Sequence, residues 1–89
     1  MSSKITNFSL LYMYIIYIMD NQTKFGKVLK ELRVEHGLTQ KQLASKVNAT
    51  QGSIADWENR GIEPPYTTLC KLCEIFDVTA GQLLGIEDY

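Results

Sequence analysis

The sequence predicts an all-α domain, compact and built from five short helices, with an extra apolar segment in front of it. Three observations carry that expectation. Apolar residues recur at helical spacing in Phe25, Val28, Leu29 and Leu32 and again in Leu69, Leu72, Cys73 and Phe76. Thr39 with Gln42, and Thr79 with Gln82, each write a capping box, in which two side chains satisfy each other's backbone N–H groups at a helix start. After residue 20 no run alternates apolar and polar residues as a half-buried strand would. A chain of 89 residues buries one core rather than two, so residues 21–89 are read as the domain and residues 1–20 as an extension.

Within the domain, the first helix sets Lys24, Lys27, Lys30 and Glu31 opposite its apolar stripe and stops at Gly37. The second opens at Thr39 and buries Leu43, Ala44 and Val47. Asn48-Ala49 then breaks the chain, Asn being tolerant of the left-handed backbone that a tight turn between helices needs. Thr50 caps a third helix whose inner side is Ile54 and Trp57 and whose open side is Gln51, Gly52, Ala55, Asp56 and Asn59. Two short helices joined this closely form a helix-turn-helix. Arg60-Gly61 ends the third helix, and Pro64-Pro65 enforces an extended link because proline and the residue before it disfavour helix. The fourth helix carries the second apolar stripe, and Leu83 and Leu84 make a short fifth, stopped by Gly85.

The extension is of another character. Phe8 to Met19 is an uncharged apolar run of twelve residues. As a helix it reaches about 18 Å, well short of the roughly 30 Å hydrocarbon core of a bilayer, so a membrane span is not expected. Lys4 is a meagre basic region and Asp20-Asn21-Gln22 a poor cleavage site, which argues against a signal peptide. Translation starting at Met19 would make residues 1–18 an upstream extension; otherwise the run covers its apolar face on the domain or on a second subunit.

Cys70 and Cys73 form a lone C-x-x-C. Redox pairing or half a zinc site is the sharp reading, but no second cysteine pair exists, His36 is the single histidine, and the spacing lies within a helical apolar stripe. Two small reduced hydrophobes in a reducing cytosol are the expectation, with no metal and no cofactor. Asn21-Gln22-Thr23 and Asn48-Ala49-Thr50 match the glycosylation sequon by chance.

Net charge is −1, which alone speaks weakly against a nucleic-acid partner. Its distribution reverses that. Residues 24–60 hold seven bases against four acids, a net of +3, whereas residues 61–89 hold one base against five acids, a net of −4. Phosphate binding needs local positive potential, and the basic half supplies it.

Gly37-Leu38-Thr39-Gln40, Leu43-Ala44, Ser53-Ile54, Trp57-Glu58-Asn59, Pro64, Leu69, Leu72, Phe76-Asp77-Val78 and Leu83-Leu84 follow one another at a recognisable spacing. In these residues the chain resembles the lambda-repressor-like or Cro type of helix-turn-helix regulator, the xenobiotic-response-element family, over 62 of 89 residues from 24 to 85. The resemblance implies double-stranded DNA as partner, with the third helix entering the major groove by its N-terminal end. Gln51, Gly52, Ala55 and Asp56 then match base-facing positions. Gln51 is the strongest reader, because a Gln amide pairs bidentately with adenine. Gly52 has no side chain and Ala55 only a methyl, so direct readout is thin and shape readout gains weight. Gln40, Lys41, Thr50, Ser53, Asn59 and Arg60 match phosphate-contacting positions, although Thr50 is a helix cap with or without DNA, and Ser53 and Arg60 have ordinary surface roles as alternatives. Arg33 and Glu58 align with an internal ion pair that, together with Trp57, supports the third helix.

The expected function is therefore a cytoplasmic, sequence-specific transcription regulator, a repressor of phage, mobile-element, restriction-controller or antitoxin type. It is expected to act as a homodimer, with no small-molecule ligand and no membrane. The alternative is a protein-interaction module that uses the same fold without reading DNA. An enzyme is not expected, since no nucleophile, phosphate loop or metal cluster accompanies His36.

Overall fold

The computed structural model describes residues 10–13 and 24–88. Helical backbone runs over 24–35 (α1), Gln40–Lys46 (α2), Gln51–Asn59 (α3), Tyr66–Phe76 (α4) and Ala80–Leu83 (α5). The fold class read from the sequence is the fold observed, five helices in the expected order. Residues 10–13 are also helical, with Leu10, Leu11, Tyr12 and Met13 exposed. The remainder of the Phe8–Met19 run, the Asn21 sequon and the alternative start at Met19 lie outside the described residues. Among the described residues no helix is long and apolar enough to cross a membrane.

Several helix ends are set by local chemistry, although α4 begins after Pro65 with no side-chain cap. Thr39 and Thr79 accept from the N–H groups of Gln42 and Gln82, whose amide oxygens accept from the threonine N–H groups in return. At the other ends, Gly37, Asn48 and Asp77 adopt left-handed φ values of 69°, 58° and 54°. Each lets the next residue's N–H reach back to a carbonyl in the last turn: Leu38 to Arg33, Ala49 to Ala44 and Val78 to Cys73. These 2.8–3.1 Å bonds satisfy carbonyls that a helix end otherwise leaves without partners. They also reverse the chain within two or three residues, which is what lets α2 and α3 stand so close.

One core joins the helices. Phe25, Leu29 and Leu32 of α1, Leu43, Ala44 and Val47 from α2 and its cap, Ile54 and Trp57 of α3, Leu72 and Phe76 of α4, and Leu83 of α5 are all buried. Leu69 and Cys73 pack against this cluster only half-buried. Leu84, next to buried Leu83, is exposed at 36%. The reason is geometric: α5 is a single turn, and one residue beyond Leu83 is rotated about 100° away from the core. His36 edges onto Phe76, ring centroids 4.9 Å apart, and directs Nδ1 to the Leu32 carbonyl at 2.9 Å, tying the end of α1 to the end of α4.

Candidate nucleic-acid interface

The two ends of α3 are built differently. At its start Thr50 is extended and its Oγ1 accepts from the Ser53 N–H at 3.1 Å, while the same hydroxyl donates to Ser53 Oγ at 3.0 Å. Gln51 and Gly52 beyond this cap are exposed, Ser53, Ala55 and Asp56 are half-buried, and Asn59 and Arg60 are exposed at the far end. Around Gly52 the space is open: a Cβ there would find only Thr50 Oγ1, at 3.8 Å. From α2, half-buried Gln40 and exposed Lys41 stand at the first two helical positions.

Side-chain hydrogen bonds link several of these residues. Gln51 Nε2 lies 3.5 Å from Gln40 Oε1, a long contact, and Gln40 Nε2 donates to Glu58 Oε1 at 3.2 Å. Arg60 Nη1 meets Asp56 Oδ1 at 3.4 Å, one helical turn apart, with side chains 71% and 40% exposed. So an expected phosphate ligand and an expected base reader hold each other in the free chain. Exposed pairs of this kind contribute only about 0–1 kcal/mol, little enough for a phosphate to take Arg60 away.

Behind this surface lies the support. Arg33 Nε donates to Glu58 Oε2 at 2.6 Å and Nη2 to Oε1 at 3.1 Å, while Nη1 donates to the Leu38 carbonyl at 2.8 Å. The Glu58 side chain has no exposure and that of Arg33 only 11%. The guanidinium thus clamps α1, the loop before α2 and α3 into one unit, and the forked geometry fixes both partners. Sequence reasoning named Arg33, Glu58 and Trp57 as supports; it missed Gly26. A Cβ at Gly26 would stand 2.3 Å from the Glu58 carbonyl oxygen and 2.9 Å from that of Trp57, so α1 meets the backbone of α3 at this glycine. A glycine inside a strongly periodic helix was the available signal, because it weakens the helix unless something needs the room. The Gln40–Glu58 bond was also missed, since nothing in linear spacing joins the start of α2 to the end of α3.

The cysteine pair takes no part in this face. Burial first, then the nearby Cys70 and Glu74, push the Cys73 thiol above its usual pKa, which favours the unreactive protonated form. Among the described residues no group of three or more metal-binding side chains gathers.

Residues 29–83 match a family model described as helix-turn-helix. The chain belongs to the helix-turn-helix family. Within it, the similarities are to regulators of the lambda-repressor, xenobiotic-response-element type. The HTH-type transcriptional regulator ImmR of Bacillus subtilis is 36% identical over 63 residues, which are 71% of this chain and 50% of that protein. The HTH-type transcriptional activator BcrR of Enterococcus faecalis is 32% identical over 65 residues, 73% of this chain and 32% of its own length. Among solved structures, the restriction-modification controller protein C.AhdI of Aeromonas hydrophila superposes with a TM-score of 0.64 at 26% identity, covering 72% of this chain and 97% of that one. The chain spans about half the length of the first of these relatives.

Proposed function

We propose that this helix-turn-helix chain binds duplex DNA in a sequence-specific manner and regulates transcription, acting as a repressor by occupying its site. The observation that carries the reading is the exposed leading end of α3, with Gln51 and Gly52 open to solvent while Ile54, Trp57 and Glu58 are buried behind them. A helix held from the rear and free at its N-terminal end fits a major groove roughly 12 Å wide. Gln51 is assigned to a base edge, with Gly52, Ala55 and Asp56 beside it. Gln40, Lys41, Thr50, Ser53, Asn59 and Arg60 are assigned to phosphates, which position the protein without reading sequence. One such helix reads half a site, so the reading includes a homodimer on a nearly palindromic operator. It also places the protein in the cytoplasm with the duplex and gives it no catalytic role and no cofactor.

Salt titration of binding to a random duplex tests the reading. If Lys41 and Arg60 of each copy neutralise phosphates, a dimer displaces counterions at four points. The slope of log affinity against log salt is then about −3.6, or roughly a hundredfold loss for a fourfold rise in salt. No binding even at low salt would instead favour a protein-interaction module, for which the sparse side chains at Gly52 and Ala55 are the supporting observation.

A further inference from the structure

We propose that Cys70 and Cys73, about one helical turn apart on α4, form a site for a soft monovalent metal ion of the copper(I) class, held between their two sulfurs. The site lies outside the surface assigned to DNA and asks nothing of α3.

Spacing decides what the two thiols can do together. Cys70 is exposed and Cys73 half-buried on the continuous α-helix Tyr66–Phe76, and residues three apart on a helix hold their Cβ atoms about 5–6 Å from each other. A disulfide needs about 3.5–4.5 Å. The backbone of that turn is not free to close the gap: Leu72 between them has no exposure, and the Cys73 carbonyl accepts from the Val78 N–H at 3.1 Å in the turn that ends the helix. A metal ion removes the difficulty, since two metal–sulfur bonds of about 2.3 Å bridge sulfurs up to about 4.6 Å apart and leave the helix as it stands.

The number of ligands selects the ion. Zinc asks for four, and among the described residues no third metal-binding side chain joins the pair. Copper(I), a soft closed-shell ion, favours thiolate sulfur and is satisfied by two such ligands. Binding exchanges two S–H bonds for two S–Cu bonds, releases both protons to solvent and moves no electron between metal and protein. Burial, and then Cys70 beside it, keep the Cys73 thiol protonated when no metal is bound; a cation between the sulfurs removes the second of these penalties. Residues 61–89, with a net charge of −4, draw cations to this half of the chain. Leu69, one turn before Cys73 on the same face, packs half-buried against the core and gives the site an apolar inner border.

Anaerobic titration of the full chain with copper(I), in competition with a chromogenic copper(I) chelator, tests the site. The parent is expected to bind one ion per chain, with ultraviolet sulfur-to-copper charge-transfer absorption. Cys70→Ser and Cys73→Ser should each lower the affinity by about a hundredfold or more, beyond the roughly 10- to 100-fold by which changes outside the ligand set weaken metal sites. Cys70→Ser combined with Lys71→Cys keeps two thiols in the chain but turns them about 200° apart around the helix, and it should lose as much affinity as the single variants. If that double variant binds as tightly as the parent, α4 presents no site and the proposal is overturned. Failure of the parent to compete with the chelator overturns it too, as does a stoichiometry of one ion per two chains, which is a site shared between copies. A thermal melt accompanies each variant; if Cys73→Ser does not fold, Cys70→Ser, at an exposed position, supports or overturns the proposal alone.

Discussion

The leading and trailing ends of α3 are separated by only two helical turns, yet they obey opposite rules. The trailing end, around Trp57 and Glu58, is crowded: a buried ion pair, a glycine pressed against its carbonyls and the core on its inner side. The leading end is nearly bare, offering one long polar side chain at Gln51, open space at Gly52 and a methyl at Ala55. Crowding at one end gives the other a fixed direction. If the leading end is the recognition surface proposed above, it has few side chains with which to adapt, and its accuracy depends on how rigidly it is aimed.

Removing the clamp at the trailing end has the largest expected effect. Arg33→Met leaves the Glu58 carboxylate buried with its cation gone, and breaking a buried pair from one side costs about 3–5 kcal/mol. For a domain of this size that is a large part of the whole stability. Thermal denaturation should show the chain largely unfolded, or melting at least about 10 °C lower. A loss below about 1 kcal/mol would mean that Glu58 is held by other contacts and that the trailing end is not the anchor. A smaller break is Gly26→Ala. Alanine improves helix propensity by about 0.5–1 kcal/mol, but its methyl would stand 2.3 Å from a backbone oxygen that has nowhere to move. Overpacking of this kind costs about 1–3 kcal/mol, so a net destabilisation of about 1–2 kcal/mol is expected in chemical denaturation. A stabilised Gly26→Ala would show that α1 and α3 slide apart freely.

These two residues mark what could and could not be read in the chain beforehand. The helices were legible because their signals are local: a 3.6-residue apolar period, Thr-x-x-Gln at two starts, and residues tolerant of a left-handed backbone at the ends. Asp77 shows the limit of that logic, since its αL conformation was not anticipated and only the turn to Val78 reveals it. Which of Leu83 and Leu84 is buried was likewise not legible, since only one member of an apolar pair at the end of a one-turn helix can face the core. The exposure of the candidate surface was legible by position, Gln51 and Arg60 standing open at either end of α3 and Thr50 capping it. The connections within that surface were not legible. That Gln40 bonds to Glu58, or that Arg60 leans on Asp56, depends on how helices far apart in sequence meet and on rotamers that no spacing encodes. Gly26 was visible as an oddity, and only the approach of α3 explains it.

The bare end can be sharpened rather than broken, and the effect should be the smallest of the three. In Gly52→Ala the new methyl meets nothing closer than Thr50 Oγ1 at 3.8 Å, an ordinary contact. Helix propensity then acts unopposed, and stability should rise by about 0.5–1 kcal/mol, roughly 2–8 °C in melting temperature for a domain this small. The same methyl occupies the space through which backbone at the start of α3 would approach a duplex, so affinity should fall as stability rises. Opposite signs in the melt and in the binding curve would show that Gly52 is kept for access at the expense of its own helix. A rise in both would mean that the position is spare surface, and the groove-facing edge of α3 would then have to be placed further along, at Ala55 and Asp56.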